Sequence, residues 1–205
     1  FNISTITMSL GLNGYSTNCD EYSVLFGLFS DLIDQANDNG IMVVAASGND
    51  GYSDKIAFPA CLENVTSVSS ITKSDEVATG YANTASILDL LAPGSSIKSA
   101  ILGGGYSFKS GTSMAAPIIT GVVALMKSVN PDLTNKEIKD ILQTTGKVVD
   151  ASIGPLVQVD KAIKMANGNE SNDDSLNEDN ENSSISIIQQ KIDKLREEIE
   201  NLKND

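Results

Sequence analysis

Histidine is absent from all 205 residues, and that absence bounds the chemistry this stretch can perform alone. An imidazole is the usual base that turns a serine or cysteine into a nucleophile at neutral pH, so no hydroxyl or thiol here has one within its own sequence. Cysteine is scarce. Cys19 and Cys61 are too few for a disulfide framework and too scattered for a metal site, and they are expected to be buried, inert thiols; with no histidine to activate it, Cys61 is no nucleophile. Basic residues are outnumbered, 14 Lys and Arg against 27 Asp and Glu, for a net charge of −13. That balance argues against nucleic acid as a partner and for a solvated acidic surface. No apolar run approaches the ~18 residues that span a bilayer, so no membrane span is expected. The chain opens at Phe1 with neither an initiator methionine nor a charged-then-apolar leader, and it reads as an internal cleavage product or a trimmed segment.

Hydrophobic residues make up 40% of the sequence, enough for one modest core with an appendage. Residues 1 to 10 read as a strand. Between 20 and 38, Val24, Leu25, Leu28, Phe29, Leu32, Ile33 and Ala36 recur at helical spacing. Gly40 stops that helix, and Ile41 to Ala46 is apolar on both faces, as in a parallel sheet covered by helices. Further strands are expected at Val65 to Ser70 and Ile87 to Leu91, then a hairpin around Gly103-Gly-Gly105. A long helix runs from Ser113 to about Val129, with Pro117 in its first turn, where a missing N–H costs little. Gly121 suggests that this helix packs tightly against the sheet. Asn130-Pro131-Asp132 breaks the chain, and Thr134 with Glu137 forms a capping box for a helix ending near Gly146.

The composition changes at Gly168. Asn169 to Ser184 holds six acids and no bases among many Asn and Ser, too polar to bury a core, so residues 168–184 are expected to be a flexible acidic linker. Ile185, Ile188, Ile192, Leu195, Ile199 and Leu202 then follow a heptad seam. A short helix is expected over 185–205, either pairing with a second copy as a coiled-coil homodimer or folding back on the domain; under three heptads it is marginal alone.

Two blocks carry the chemistry. Gly111-Thr-Ser-Met-Ala-Ala-Pro117 places an isolated hydroxyl, Ser113, where a tight turn enters a buried helix whose first amides are free to donate. Ile41-Met-Val-Val-Ala-Ala-Ser-Gly-Asn-Asp-Gly51 reads as a buried strand running into a Gly-Asn-Asp-Gly turn. Together they resemble the subtilisin-like serine proteases, the subtilases, whose nucleophile motif reads G-T-S-M-A-x-P. The resemblance covers residues 1 to about 167. It implies a three-layer α/β fold with a mostly parallel sheet, incomplete at its N-terminal side, followed by the C-terminal helical tail. It also implies that Ser113 is the nucleophile and that Asn49 donates to the oxyanion beside the Ser113 backbone N–H. Ser9, Leu10 and Gly11, in Ile6-Thr-Met-Ser-Leu-Gly11, would line one side of the substrate cleft; Ala46, Ser47 and Gly48 would form the facing wall. Leu88-Asp-Leu-Leu-Ala-Pro-Gly94 resembles the strand and turn before the nucleophile, and Phe58-Pro-Ala60 the loop closing the specificity pocket. Ile118 stands where the family usually has a histidine that is not the catalytic base.

The family's Asp-Thr/Ser-Gly and His-Gly-Thr-His motifs are missing, and Asp50, Asp54 and Asp89 lie outside any such motif. The resemblance therefore implies a serine endopeptidase acting on a peptide or protein substrate through an acyl-enzyme on Ser113, inactive until the N-terminal portion of the same protease supplies Asp and His. The alternative is a non-catalytic, subtilase-derived peptide-binding adaptor that oligomerises through its C-terminal helix. The resemblance also implies a secreted or extracytoplasmic location and structural calcium in the complete enzyme; no cofactor or metal ligand is assigned within this chain.

Overall fold

The computed structural model describes residues 3–168. Four short strands form one parallel sheet in the order β1-β3-β5-β6: β1 Thr5–Met8, β3 Met42–Ala46, β5 Thr66–Ile71 and β6 Leu90–Pro93. Every residue of β3 and β5 is buried. Side chains alternate between faces along a strand, so both faces of the sheet are covered. Helix α1 (Val24–Asp38) packs on β3, and α2 (Thr112–Val129) packs across all four strands. Helices α3 (Asn135–Thr145) and α4 (Val159–Ala166) complete the α/β domain, α4 packing on both α2 and α3. Two antiparallel pairs lie outside the main sheet. One joins β2 (Leu12–Tyr15) to β4 (Ile56–Phe58); the other is the hairpin of β7 (Ile97–Ala100) and β8 (Tyr106–Lys109).

Local chemistry accounts for the boundaries. The Ser23 side chain accepts the Phe26 N–H at the start of α1. The Thr134 and Glu137 capping box opens α3 as expected, each side chain bonded to the other's backbone N–H. Strand β6 begins three residues later than the apolar run Ile87 to Leu91 suggests. The cause is Asp89, whose carboxylate accepts from the Ser67 N–H at 2.8 Å and pairs with Lys139 at 2.7 Å, while Gly154 N–H donates to Leu88 O. These bonds hold 87–89 as a loop over the sheet.

Strand β5 is polar for a central strand, and its hydroxyls explain why. Ser67 Oγ accepts from the Asp89 N–H and Ser69 Oγ donates to Asn83 O on one face, while Ser70 Oγ joins Tyr81 Oη and, through it, Ser95 Oγ on the other. The segment 81–95 is thus fastened to the middle of the sheet.

Four expectations are corrected. Cys19 and Cys61 are buried but are not thiols; they form a disulfide with Cα atoms 5.6 Å apart. The β2–β4 pairing brings the two segments together, and Cys19 N–H donates to Cys61 O, a tertiary contact across 42 residues that local spacing cannot reveal. Gly121 lies on the exposed side of α2, and a Cβ there would meet nothing within 4 Å, so it does not mediate close packing. Pro117 does not lie in the first turn of α2 but inside the helix, which begins at Thr112. Finally, the same helix has 18 residues with a mean hydropathy of 1.4, the length and composition of a membrane span. Its buried residues Ala115, Ala116, Ile119, Val122, Val123 and Met126 face the sheet, as in the core helix of a folded domain. The linker and C-terminal helix expected beyond residue 168 lie outside the described residues.

Candidate active site

Ser113 is the second residue of α2, as the turn-into-helix motif requires. Gly111 precedes the helix at φ 154°, a conformation that L side chains rarely adopt, and a Cβ there would sit 3.4 Å from Asn49 Oδ1. Its N–H donates to Gly94 O, which ties the end of β6 to the entry of α2. The Ser113 hydroxyl lies 3.5 Å from Ser9 O, a long contact, while Ser9 Oγ donates to Ser113 O at 2.9 Å. The two serines therefore hold the C-terminal end of β1 against the first turn of α2.

Asn49 reaches the same turn from the end of β3. Its Oδ1 accepts the Thr112 N–H at 2.9 Å and the Thr112 hydroxyl at 3.2 Å. Gly48 N–H donates to Thr112 Oγ1, also at 3.2 Å. With Oδ1 bonded to Thr112, the residue before Ser113, the amide nitrogen is the other end of an exposed side chain. The Ser113 N–H is one of the first-turn amides that a helix leaves without an intrahelical acceptor.

The six remaining expected residues divide into two groups. Ser9, Leu10 and Gly11 are exposed along the open end of β1, and Gly11 backs onto Ala57, whose Cβ would be 2.9 Å from a Cβ at residue 11. Of the facing wall, Gly48 reaches the site through Thr112. Ala46 and Ser47 are buried behind it, the Ser47 hydroxyl donating inward to Asn83 O at 2.7 Å. Two residues of this assembly escaped sequence reasoning. Thr112 stands inside the quoted motif, so its adjacency to Ser113 was the available signal. Asn83 is completely buried and carries no local motif. Among the described residues no group of three or more His, Cys, Asp or Glu side chains is placed to hold a metal ion.

A parallel α/β sheet carries a serine at the start of its longest core helix, with an asparagine side chain from a neighbouring strand turn bonded to that same helix start. The chain belongs to the subtilase family, whose profile matches residues 2–180. It is 34% identical over 154 residues to subtilisin of Bacillus pumilus, a match covering 74% of this chain and 52% of that protein. It is 35% identical over 147 residues to subtilisin amylosacchariticus of Bacillus subtilis, covering 70% of this chain and 36% of the relative. The chain thus spans about half or less of the length of these relatives. Among solved structures, a protease from Pseudoalteromonas arctica superposes with a TM-score of 0.69 at 31% identity, over 80% of this chain and 51% of that one. A mutant of the protease domain of PatA shares the fold with a TM-score of 0.70 at 23% identity, over 82% and 61%.

Proposed function

We propose that this chain is the nucleophile-bearing part of a serine endopeptidase. The observation that carries the reading is the Asn49 to Thr112 hydrogen bond, 2.9 Å long, which joins the strand-turn and turn-helix motifs at the residue before Ser113. A peptide pairs as an added strand along Ser9, Leu10 and Gly11, which continue from β1, an edge strand among the described residues. Ser113 Oγ attacks the scissile carbonyl. The oxyanion receives hydrogen bonds from the Asn49 side-chain amide and the Ser113 backbone N–H, and water then releases the acyl group from Ser113. Leu10 and Gly48 bound the cleft, with Ala46 and Ser47 supporting Gly48 from behind.

The proton from Ser113 requires a base, and this sequence has no histidine. The N-terminal portion of the same protease supplies it, with the triad aspartate. Exposed apolar side chains support a covering segment of that kind. Val24, Leu25, Leu28 and Leu32 form one stripe along α1, each more than half exposed, and Ile6 is exposed on the open strand β1. Covering such side chains is worth about 1.5–3 kcal/mol each, sufficient to hold a second segment tightly. The disulfide supports an oxidising, extracytoplasmic location, as does the similarity to an extracellular serine protease of Natrialba magadii.

The test is labelling with a serine-directed phosphonate. The chain co-expressed with its N-terminal portion should label at Ser113 and hydrolyse peptides, Ser113→Ala should do neither, and the chain alone should not label. Efficient labelling of the chain alone would overturn the need for a supplied base. A folded complex that fails to label would replace the protease reading with a peptide-binding adaptor.

A further inference from the structure

We infer that Asn83 is a positioning residue for catalysis: it fixes the turn that aims the Asn49 amide and acts through that residue alone. The inference rests on the oxyanion role proposed for Asn49. Asn83 is completely buried at the centre of segment 81–84, and all of its side-chain hydrogen-bonding capacity is directed at the turn from Ser47 to Tyr52. Its Oδ1 accepts the backbone N–H of Asp50 at 2.8 Å and of Tyr52 at 3.1 Å. Its Nδ2 donates to Ser47 O at 3.2 Å and to Asp50 Oδ2 at 3.1 Å. Three of these bonds grip the backbone on both sides of Gly48 and Asn49, and the fourth holds the Asp50 carboxylate. The Asn83 N–H also donates to Gly48 O at 3.0 Å, and Gly51 N–H donates to Tyr81 O at 2.8 Å. The Asn83 carbonyl in turn accepts the hydroxyls of Ser47 and Ser69, both at 2.7 Å. The Asn83 backbone is therefore tied through Ser69 to β5, at the middle of the sheet.

Gly48 shows that the fit is close. It sits at φ +105°, and a Cβ there would overlap the Asn83 amide nitrogen. The turn and the buried amide occupy one another's space, and only glycine permits it. Asn49 is consequently held twice: its backbone by Asn83 from inside, and its Oδ1 by Thr112 from the nucleophile helix. The two restraints leave the amide nitrogen one direction. A residue that merely fills space would not need four bonds to one six-residue turn, and a polar group buried with them incomplete would be costly.

The experiment uses the complete enzyme, with both portions present. Asn83→Asp keeps the volume and the acceptor for the two N–H groups but sets a carboxylate oxygen against Ser47 O and the Asp50 carboxylate. Misplacing a catalytic group by about 1 Å can cost up to ~10²-fold, so kcat should fall about tenfold or more while KM changes less than about twofold. Affinity for a peptide boronate should fall in step with kcat/KM. Adding Asp50→Asn, which returns a donor to the pair, should recover most of the loss. The deciding measurement is the double-mutant cycle: in an Asn49→Ala background, Asn83→Asp should cost less than about twofold, because no amide remains to be misaimed. Asp50→Ala, at an exposed position, removes one of the four bonds without entering the core and should show the same dependence on Asn49, which keeps the test available if Asn83→Asp does not fold. A full, additive loss in the Asn49→Ala background, or a loss confined to KM, would overturn the inference alone. An Asn49→Ala enzyme with wild-type kcat would overturn the oxyanion role, and this inference with it.

Discussion

Breaking the Cys19–Cys61 cross-link should cost this domain about 4 kcal/mol. The two residues are 42 apart in sequence, and closing a loop of that length in the unfolded chain removes roughly 13 cal/mol/K, or about 4 kcal/mol near room temperature. The perturbation is best made in two ways on one protein. Reduction of the wild type removes the cross-link and leaves both sulfurs in place. Cys19→Ala with Cys61→Ala also empties two buried side-chain positions, which should add about 1 kcal/mol or slightly more from lost contacts. Urea unfolding followed by far-ultraviolet circular dichroism, in a Ser113→Ala background to prevent self-digestion and at fixed protein concentration, gives the three free energies. The expected order is oxidised, then reduced, then doubly substituted, with most of the difference at the first step. Local consequences should follow. The bridge lies beside the β2–β4 pair and the stacked Phe26 and Phe58 rings, 4.0 Å apart between centroids, so these side chains should lose order before the central sheet. An oxidised-minus-reduced difference below about 1 kcal/mol would refute the reasoning, because the unfolded chain would then already hold these segments together.

Four further outcomes are expected. Asn49→Ala in the complete enzyme should lower kcat by about 10²–10³ with little change in KM, the magnitude associated with one oxyanion donor and measured for this family; steady-state kinetics on a peptide anilide checks it. Thr134→Ala should destabilise the domain by about 1 kcal/mol in thermal or urea unfolding. The Thr134 side chain and N–H hold the Glu137 carboxyl below its usual range, so the Glu137 contribution is complete above the unfolded value of about 4.3 and is lost as pH falls through the lower folded value. The difference between wild type and Glu137→Gln should therefore shrink over that acid window. Replacing both Ile192 and Ile199 by Asp should abolish a weak, concentration-dependent dimer while leaving Ser113 labelling of the complete enzyme unchanged; identical sedimentation with and without residues 185–205 would exclude the dimer.

The elements legible in the sequence are those whose causes are local. Helix α1 follows from its apolar spacing, α3 from Thr134 and Glu137, β3 from an uninterrupted apolar run, and the entry of α2 from Gly111. Strands β2 and β4 were not legible because each is short and is defined by its partner in the other segment. The start of β6 was misplaced because Leu88 is buried in a loop, and burial without periodicity mimics a strand. At the candidate site, Ser113 and Asn49 stand within recognisable turn chemistry. Asn83 had no such signal: Tyr81-Ala-Asn-Thr84 reads as an ordinary polar loop, and its significance exists only once β5 and the 47–52 turn are folded around it.

The serines of β5 have a kinetic consequence. Segment 81–95, which runs along β5 into strand β6, is gripped through Ser67 and Ser69 on one face and through Ser70 on the other. A loop fastened from both sides has no free edge on which to swing. The turn that it braces is therefore not a lid, and a peptide entering the cleft must adapt to a surface already set. Binding would then proceed without a slow closing step, its observed rate rising linearly with peptide concentration instead of levelling at the rate of a conformational change. Replacing Ser70 by alanine, nearly equal in volume, would release one face and introduce the missing hinge while leaving the apolar core intact.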